Sequence, residues 1–250
     1  MTLKEFFLLN PRAALAFSGG ADSAYLLWAA CEAGADVRPY FVKSQFQPAF
    51  ELEDALRLCR RLGLELRVIE LDQLSCREIA SNPPERCYYC KKRMFGALVS
   101  AAGAEGYSLI IDGTNASDSD DDRPGMRAIR ELKVRSPLRE AGITKSRLRQ
   151  LSAQAGLFTW DKPSYACLAT RIPTGCPLRA EDLARVERGE AALAALGYRN
   201  FRLRLRDWGA LLQVDAGQLD KAENDLGKIQ QLLSQDFGII RIDPEGRKGD

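Results

Sequence analysis

Apolar residues fall along the first half of the chain in two alternating textures. The short runs Ala13–Phe17, Val37–Val42, Leu64–Leu71 and Ser108–Asp112 read as strands. The longer mixed stretches Asp22–Ala33, Pro48–Leu62 and Glu85–Ala102 read as helices. Strands alternating with helices of this length predict an α/β fold with a parallel sheet covered on both faces. Leu109–Ile111 is apolar without a break, which fits a central strand. Ligands of such sheets bind outside the carboxyl ends of the strands.

Past Asp112 the pattern changes. Gly113–Gly125 is polar, acidic and glycine-containing, so it reads as a loop, and Lys145–Ala155 as a short helix. Asp161–Pro177 carries three prolines and two cysteines and reads as an irregular crossing segment. Beyond it, Arg179–Leu196 and Leu219–Leu233 have helical periodicity, while Phe201–Arg206, Ala210–Asp215 and Ile239–Ile242 read as strands. The expected organisation is a main domain over 1–160, a cysteine-bearing crossing loop over 161–177 and a smaller α+β domain over 178–250.

Composition narrows the chemistry more than the fold. There are 36 Lys and Arg against 34 Asp and Glu, a formal net charge of +2, and no histidine among 250 residues. So even a balance argues against a nucleic-acid partner. Without histidine there is no Ser-His-Asp triad, no Cys-His pair, no HExxH helix and no Cys/His zinc finger. A soft metal site here has only cysteines to draw on. No run approaches the roughly 18 apolar residues of a spanning helix, and Asn10, Pro11 and Arg12 interrupt the apolar N-terminal patch. Seven cysteines, an odd number, fit a cytoplasmic protein with free or metal-bound thiols better than a secreted disulfide scaffold.

The string Ser18-Gly19-Gly20-Ala21-Asp22-Ser23 lies between the first strand and the first helix of the alternating pattern. Paired glycines let the backbone turn tightly and offer its N–H groups to an anion, and the helix N-terminus adds its dipole. Ser18 and Ser23 can add hydroxyls, and Asp22 can hold a cation or cap the helix. The plainer reading is a Gly-Gly turn with a polar cap. It is neither a Walker A loop nor GxGxxG. The whole string resembles the PP-loop of the N-type ATP pyrophosphatases, which implies ATP bound through Ser18, Gly19, Gly20, Asp22 and Ser23. Beside such a loop, Asp112, Gly113 and Asn115, at the end of a later strand, are expected near the nucleotide and Mg²⁺. Their plainer reading is an Asp/Gly turn. Asp120-x-Asp122 with Glu131 partly matches a calcium loop, but Pro124 replaces a needed ligand and no helix leads in, so calcium is rejected.

Cys87-Tyr88-Tyr89-Cys90 is a CxxC at the head of an expected helix, and Cys167 and Cys176 lie in the crossing segment. A redox dithiol lacks a thioredoxin-like context here, while an all-cysteine zinc site and an iron–sulfur cluster both remain open on spacing alone. Cys31 and Cys59 fall within helices and are expected to be packed. Cys76 carries no signal.

Several segments together resemble one family. They are Ser-Gly-Gly-Ala-Asp-Ser (18–23), Arg-Cys-Tyr-Tyr-Cys-Lys (86–91), Asp-Gly-Thr-Asn-Ala-Ser-Asp (112–118), Asp-Arg-Pro-Gly-Met-Arg-Ala (122–128), Ser-Pro-Leu-Arg-Glu (136–140) and Trp-Asp-Lys-Pro-Ser-Tyr-Ala-Cys-Leu-Ala-Thr-Arg-Ile-Pro (160–173). The chain looks like the LarE family, ATP-dependent sulfur transferases of nickel-pincer cofactor biosynthesis. The resemblance implies a PP-loop domain of the adenine nucleotide hydrolase-like Rossmann kind with a smaller α+β domain behind it. It further implies a pyridinium dicarboxylate mononucleotide as substrate, adenylated by ATP and converted to a thiocarboxylate, and a homo-oligomer. Cys167 occupies the position of the family's catalytic cysteine, which in one form gives up its own sulfur. In the other form a CxxC joins it to hold a 4Fe-4S cluster, and Cys87, Cys90 and Cys167 make that the expected form here.

Arg202-Leu203-Arg204 matches the family's Arg-x-Arg, implied to receive the substrate phosphate. Period two puts both side chains on one face, and guanidinium suits phosphate. A basic outer strand face, continued by Arg206, is the plainer alternative. Glu190 matches an acidic position in the preceding helix, with a solvated helix face as its alternative. Gln213 stands where the family often has Glu, which puts a carboxylate role there in doubt. Competing functions are tRNA thiolation, ammonia-dependent amidation and nucleotide sensing. The first lacks a basic surface, and the second leaves the cysteines unexplained.

Overall fold

The computed structural model describes residues 1–118 and 124–247, so Asp120 and Asp122 lie outside the described residues. The described chain forms two compact units, 1–72 with 85–162, and 73–84 with 163–250. Segment 73–84, which a continuous first domain would contain, thus belongs with the second unit.

The first unit is built on a parallel sheet of β1 (Arg12–Ala16), β2 (Asp36–Lys43), β3 (Arg67–Glu70) and β4 (Ile110–Asp112), in the order β3-β2-β1-β4. Its helices are α1 (Leu3–Leu9), α2 (Ala21–Glu32), α3 (Ala49–Arg61), α5 (Arg86–Ala104), α6 (Pro124–Glu131), α7 (Pro137–Glu140) and α8 (Lys145–Gln154), with α4 (Arg77–Ala80) in the second unit. Alternation along the strands sorts the core into two layers. Ala13, Leu15, Val37, Phe41 and Ile111 pack with α1, α2, α3 and α8. Ala14, Tyr40 and Ile110 pack with Phe95 and Leu98 of α5 and Met126 and Ile129 of α6.

One strand expectation changes. Leu109–Ile111 was expected in a central strand, but β4 ends the four-stranded ladder. Its outer edge is covered instead by the chain at Arg135: Asp112 N donates to the Arg135 carbonyl at 2.9 Å, and Arg135 N to that of Ile110 at 3.0 Å. Its apolar character reflects burial on both faces rather than a central position. The apolar N-terminal patch is a helix, α1. Thr2 accepts from Glu5 N while the Glu5 carboxylate accepts from Thr2 N, and this reciprocal cap sets Phe6 and Phe7 into the core.

The second unit holds a three-stranded sheet, β5 (Arg202–Arg206), β6 (Gly209–Gln213) and β7 (Ile240–Ile242), with β5 and β6 antiparallel and β6 and β7 parallel. Helix α9 (Ala180–Ala195) packs on β5. Gly189 makes that approach possible, because a Cβ there would stand 2.6 Å from Leu203 Cδ2. The single helix expected over 219–233 is two, α10 (Leu219–Asn224) and α11 (Leu226–Leu232), parted at Asp225, whose carboxylate accepts from Tyr198 Oη at 2.8 Å. Segment 73–84 is tied in through Asn82. Its side chain donates to the carbonyls of Pro173 (2.8 Å) and Cys176 (3.0 Å), and its own carbonyl accepts from Gly175 N.

Candidate functional site

In the first unit the glycine string forms the turn between β1 and α2. Gly19 has φ +70°, and a Cβ there would stand 2.7 Å from the Glu51 carbonyl oxygen of α3, so both conformation and space demand glycine. The turn is cross-bonded by its own serines. Ser23 Oγ accepts from Ser18 N (3.3 Å), lies 3.1 Å from Ser18 Oγ and donates to the Gly20 carbonyl (3.3 Å), while Gly20 N donates to Ser18 Oγ (3.3 Å). Gly20 caps α2 without a side-chain bond, which leaves the first-turn N–H groups available to an anion.

The end of β4 lies beside it because β1 and β4 pair in register, Ala16 opposite Asp112. A Cβ on Gly113 would come within 2.9 Å of Ser23 N, so this glycine too is fixed by close approach. Asp112 is buried and used within its own loop. It accepts from Thr114 N (3.2 Å), Thr114 Oγ1 (2.6 Å) and Ser136 Oγ (2.7 Å). Asn115, also buried, reaches Asp22 Oδ1 at 3.3 Å. Asp22 is thus held between Asn115 and the ammonium of Lys145.

Two lysines join this site that sequence reasoning missed. Lys145 starts α8, where a cation opposes the helix dipole, and that mismatch was the available signal. Lys162 donates to the Gly19 carbonyl (3.2 Å) and to Asp54 of α3 (2.6 Å), pinning the glycine turn from below.

The CxxC sits in the first turns of α5, Cys87 exposed and Cys90 half-buried. Arg86 donates to Cys87 Sγ at 3.6 Å, and Cys90 Sγ lies 3.7 Å from Met94 Sδ. Cys59 is packed in the core as expected, whereas Cys31 is only half-buried; burial pushes both thiols up, Cys59 to about 12. Among the described residues no three Cys, Asp or Glu side chains are grouped to hold one metal ion.

In the second unit, half-buried Cys167 precedes a 3₁₀ turn, Leu168–Arg171. Its carbonyl accepts from Thr170 N (3.0 Å) and Thr170 Oγ1 (2.8 Å). Arg204 donates to the Thr170 carbonyl at 3.3 Å, so the arginine strand touches the cysteine turn directly. Arg204 also donates to Gln213, whose amide donates in turn to Asp243 at 2.7 Å. Where a glutamate would pair with Arg204, the glutamine passes the contact on to a carboxylate. Burial pulls the Arg204 pKa down, and the neighbouring positive charges of Arg206, Arg171 and Arg247 add to it. That crowding of cations suits a phosphate. Arg202 lies on the same strand face as Arg204, two residues away. Glu190 is no solvated helix residue. It is buried and ion-paired with buried Arg171, which sequence reasoning passed over. Exposed Cys176 lines a cavity of about 190 Å³ with Arg179, Arg206 and Asp207.

No helix of the described residues is long and apolar enough to cross a membrane. No protein-family model matches the chain. An uncharacterized protein of Synechocystis sp. is 35% identical over 98% of this chain and 92% of its own length. The pyridinium-3,5-bisthiocarboxylic acid mononucleotide synthase of Lactiplantibacillus plantarum is 31% identical over 94% of this chain and 86% of its own. A tRNA(Ile)-lysidine synthase of Polaromonas naphthalenivorans is 31% identical over 42% of this chain and 31% of its own. The partial match agrees with a PP-loop α/β unit, and the near full-length one covers both units. With the glycine turn, the CxxC and the cysteine turn all in place, the chain belongs to the LarE family of pyridinium-3,5-bisthiocarboxylic acid mononucleotide synthases.

Proposed function

We propose that this protein is an ATP-dependent sulfur transferase. It adenylates the carboxylates of a pyridinium-3,5-dicarboxylate mononucleotide and converts them to thiocarboxylates. The observation that carries the reading is the pairing, within one chain of this family, of a cross-bonded PP-loop with a cysteine turn held against a phosphate-suited arginine strand.

A substrate carboxylate oxygen attacks the α-phosphorus of ATP, and pyrophosphate leaves. Hydrosulfide then attacks the acyl carbon, AMP leaves with the former carboxylate oxygen, and the proton of the hydrosulfide goes to solvent. The second carboxylate repeats the sequence. The N–H groups at Gly19, Gly20 and the head of α2, with the Ser18 and Ser23 hydroxyls, hold the pyrophosphate portion, and Asp22 with Asn115 and Gly113 borders it. Asp22 would hold Mg²⁺. Asp112 acts through the loop it orders. Arg202 and Arg204 take the 5′-phosphate of the mononucleotide, and Cys167 is the catalytic thiol.

Cys87, Cys90 and Cys167 would hold a 4Fe-4S cluster, an all-thiolate donor set in a chain without histidine. When bound, that cluster supplies the transferable sulfide. In a second reading Cys167 surrenders its own sulfur. We expect the protein in the cytoplasm, as a homo-oligomer.

Anaerobically purified protein, MgATP, the dicarboxylate mononucleotide and sulfide should yield AMP, pyrophosphate and a product heavier by sulfur-for-oxygen exchange. No exchange, or sulfur recovered in tRNA, overturns the reading. Iron and labile sulfide in the purified protein decide for the cluster. A Cys167 peptide lighter by hydrogen sulfide after turnover decides for self-sacrifice.

A further inference from the structure

The second unit contains a buried ion pair that the reaction as written does not use. Arg171 and Glu190 are 1% and 5% exposed. Arg171 Nε donates to Glu190 Oε1 at 2.8 Å and Nη2 to Oε2 at 3.0 Å, a two-pronged contact. The remaining nitrogen, Nη1, turns to the cysteine turn. It donates to the Ala166 carbonyl (2.7 Å) and to Thr170 Oγ1 (2.9 Å), with the Cys167 carbonyl at 3.5 Å. Glu190 is equally occupied. Its Oε1 also accepts from Leu203 N at 2.9 Å, and its Oε2 from the Tyr165 hydroxyl, whose ring lies 4.5 Å under the guanidinium. Burial by itself pushes the Arg171 pKa down, but the bonds and charge of Glu190 outweigh it and the pKa is raised.

Leu203 is the residue between Arg202 and Arg204. One carboxylate therefore fixes the backbone from which both arginines project, and its partner fixes the backbone on either side of the cysteine. We propose that the Arg171–Glu190 pair is a positioning device that sets the Cys167 thiol in register with the Arg202–Arg204 phosphate site. All three nitrogens of Arg171 and both oxygens of Glu190 are engaged within the protein. Gly189 belongs to the same device, since its missing Cβ lets β5 come close enough for Glu190 to reach Leu203 N. This rests on the reading that Cys167 and the two arginines act on one substrate.

The test separates placement from stability. Replacing a buried ion pair by apolar residues of similar volume is often neutral for stability, whereas removing one partner is not. The double variant R171M/E190L should therefore unfold near the parent temperature. Its sulfur transfer should fall in kcat by roughly a hundredfold, the effect of misplacing a reacting group by about 1 Å. KM for the mononucleotide should rise as well, while KM for ATP stays put. E190Q, which keeps an acceptor for Leu203 N but leaves the Arg171 charge without a counter-charge, should unfold at a lower temperature yet lose less activity than the double variant. A second readout needs no turnover: the rate at which iodoacetamide alkylates Cys167 in protein freed of iron by a chelator, followed on its peptide. It should change in R171M/E190L and return toward the parent in E190Q. Unchanged kcat and alkylation rate in a stable double variant overturn the proposal. If the parent transfers no sulfur, the function reading fails, and the alkylation rates alone decide on the positioning device. Should the double variant not fold, the same comparison is made between E190Q and Y165F.

Discussion

The charged contacts of the two units are built for opposite purposes. Around the PP-loop, Asp22 and Lys145 are each about a quarter exposed, and Lys162 and Asp54 are 16% and 27% exposed. Such pairs are reached by water and are worth little to stability, so they can change partners at small cost, as the proposed nucleotide binding requires. In the second unit Arg171 and Glu190 are sealed, and every bonded atom has its place. Anion-binding machinery must let go of its ions, whereas a device that registers two backbones must not.

The comparison is broken most directly by removing half of each arrangement. Glu190→Leu alone strands a buried guanidinium and should cost about 3–5 kcal/mol. Urea unfolding should show this, and R171M added to it should restore most of the loss. Removing Lys145 as Lys145→Met should change the unfolding free energy by under about 1 kcal/mol while weakening ATP binding in titration calorimetry. Equal losses from the two would erase the distinction.

Two glycines sharpen it. Gly19→Ala must adopt a positive φ and meets the Glu51 carbonyl, a backbone atom that cannot swing aside. A cost on the order of 1–3 kcal/mol is expected, with loss of ATP binding. Gly189→Ala sits in a regular helix and meets only the tips of Leu203 and Phe237 side chains. The helix-propensity gain of about 1 kcal/mol offsets part of the crowding. A net loss near 1 kcal/mol is expected, with sulfur transfer more affected than unfolding.

These glycines also show what the sequence could tell. Gly19 lies in a contiguous string whose chemistry is local, so the turn and the helix after it were legible together. The parallel sheet was legible for the same reason, because strand and helix periodicities are short-range. The position of β4 was not, since apolar character reports burial and cannot distinguish a central strand from an edge covered at Arg135. The brace was least legible. Its parts, Tyr165, Arg171, Glu190 and Leu203, are spread over nearly forty residues and meet only in three dimensions. Glu190 was read from family position and looked equally suited to a solvated face. Nothing in its neighbourhood announced that Gly189 had cleared the way to β5.

The thiols give the smallest effect at working pH. Cys59 is packed against α2 and the sheet, and burial raises its pKa from an ordinary value near 9 to about 12. Exposed Cys176, and exposed Cys87 in iron-free protein, should therefore be alkylated first, and Cys59 only after unfolding. The sign of the pH effect follows from linkage. Below pH 9 both folded and unfolded states keep the Cys59 proton, and its contribution to stability is full. Between pH 9 and about 12 the unfolded chain loses that proton while the folded chain retains it, so stability falls as pH rises. Tyr40, also raised to about 12 by burial, adds a similar decline that begins one unit higher. Cys59→Ala removes only the cysteine's share. Its unfolding free energy should thus run parallel to the parent's up to pH 9 and fall less steeply above it. Parallel curves throughout would mean that the Cys59 thiol titrates alike in both states, and that the first unit's core is open to water where it meets α3.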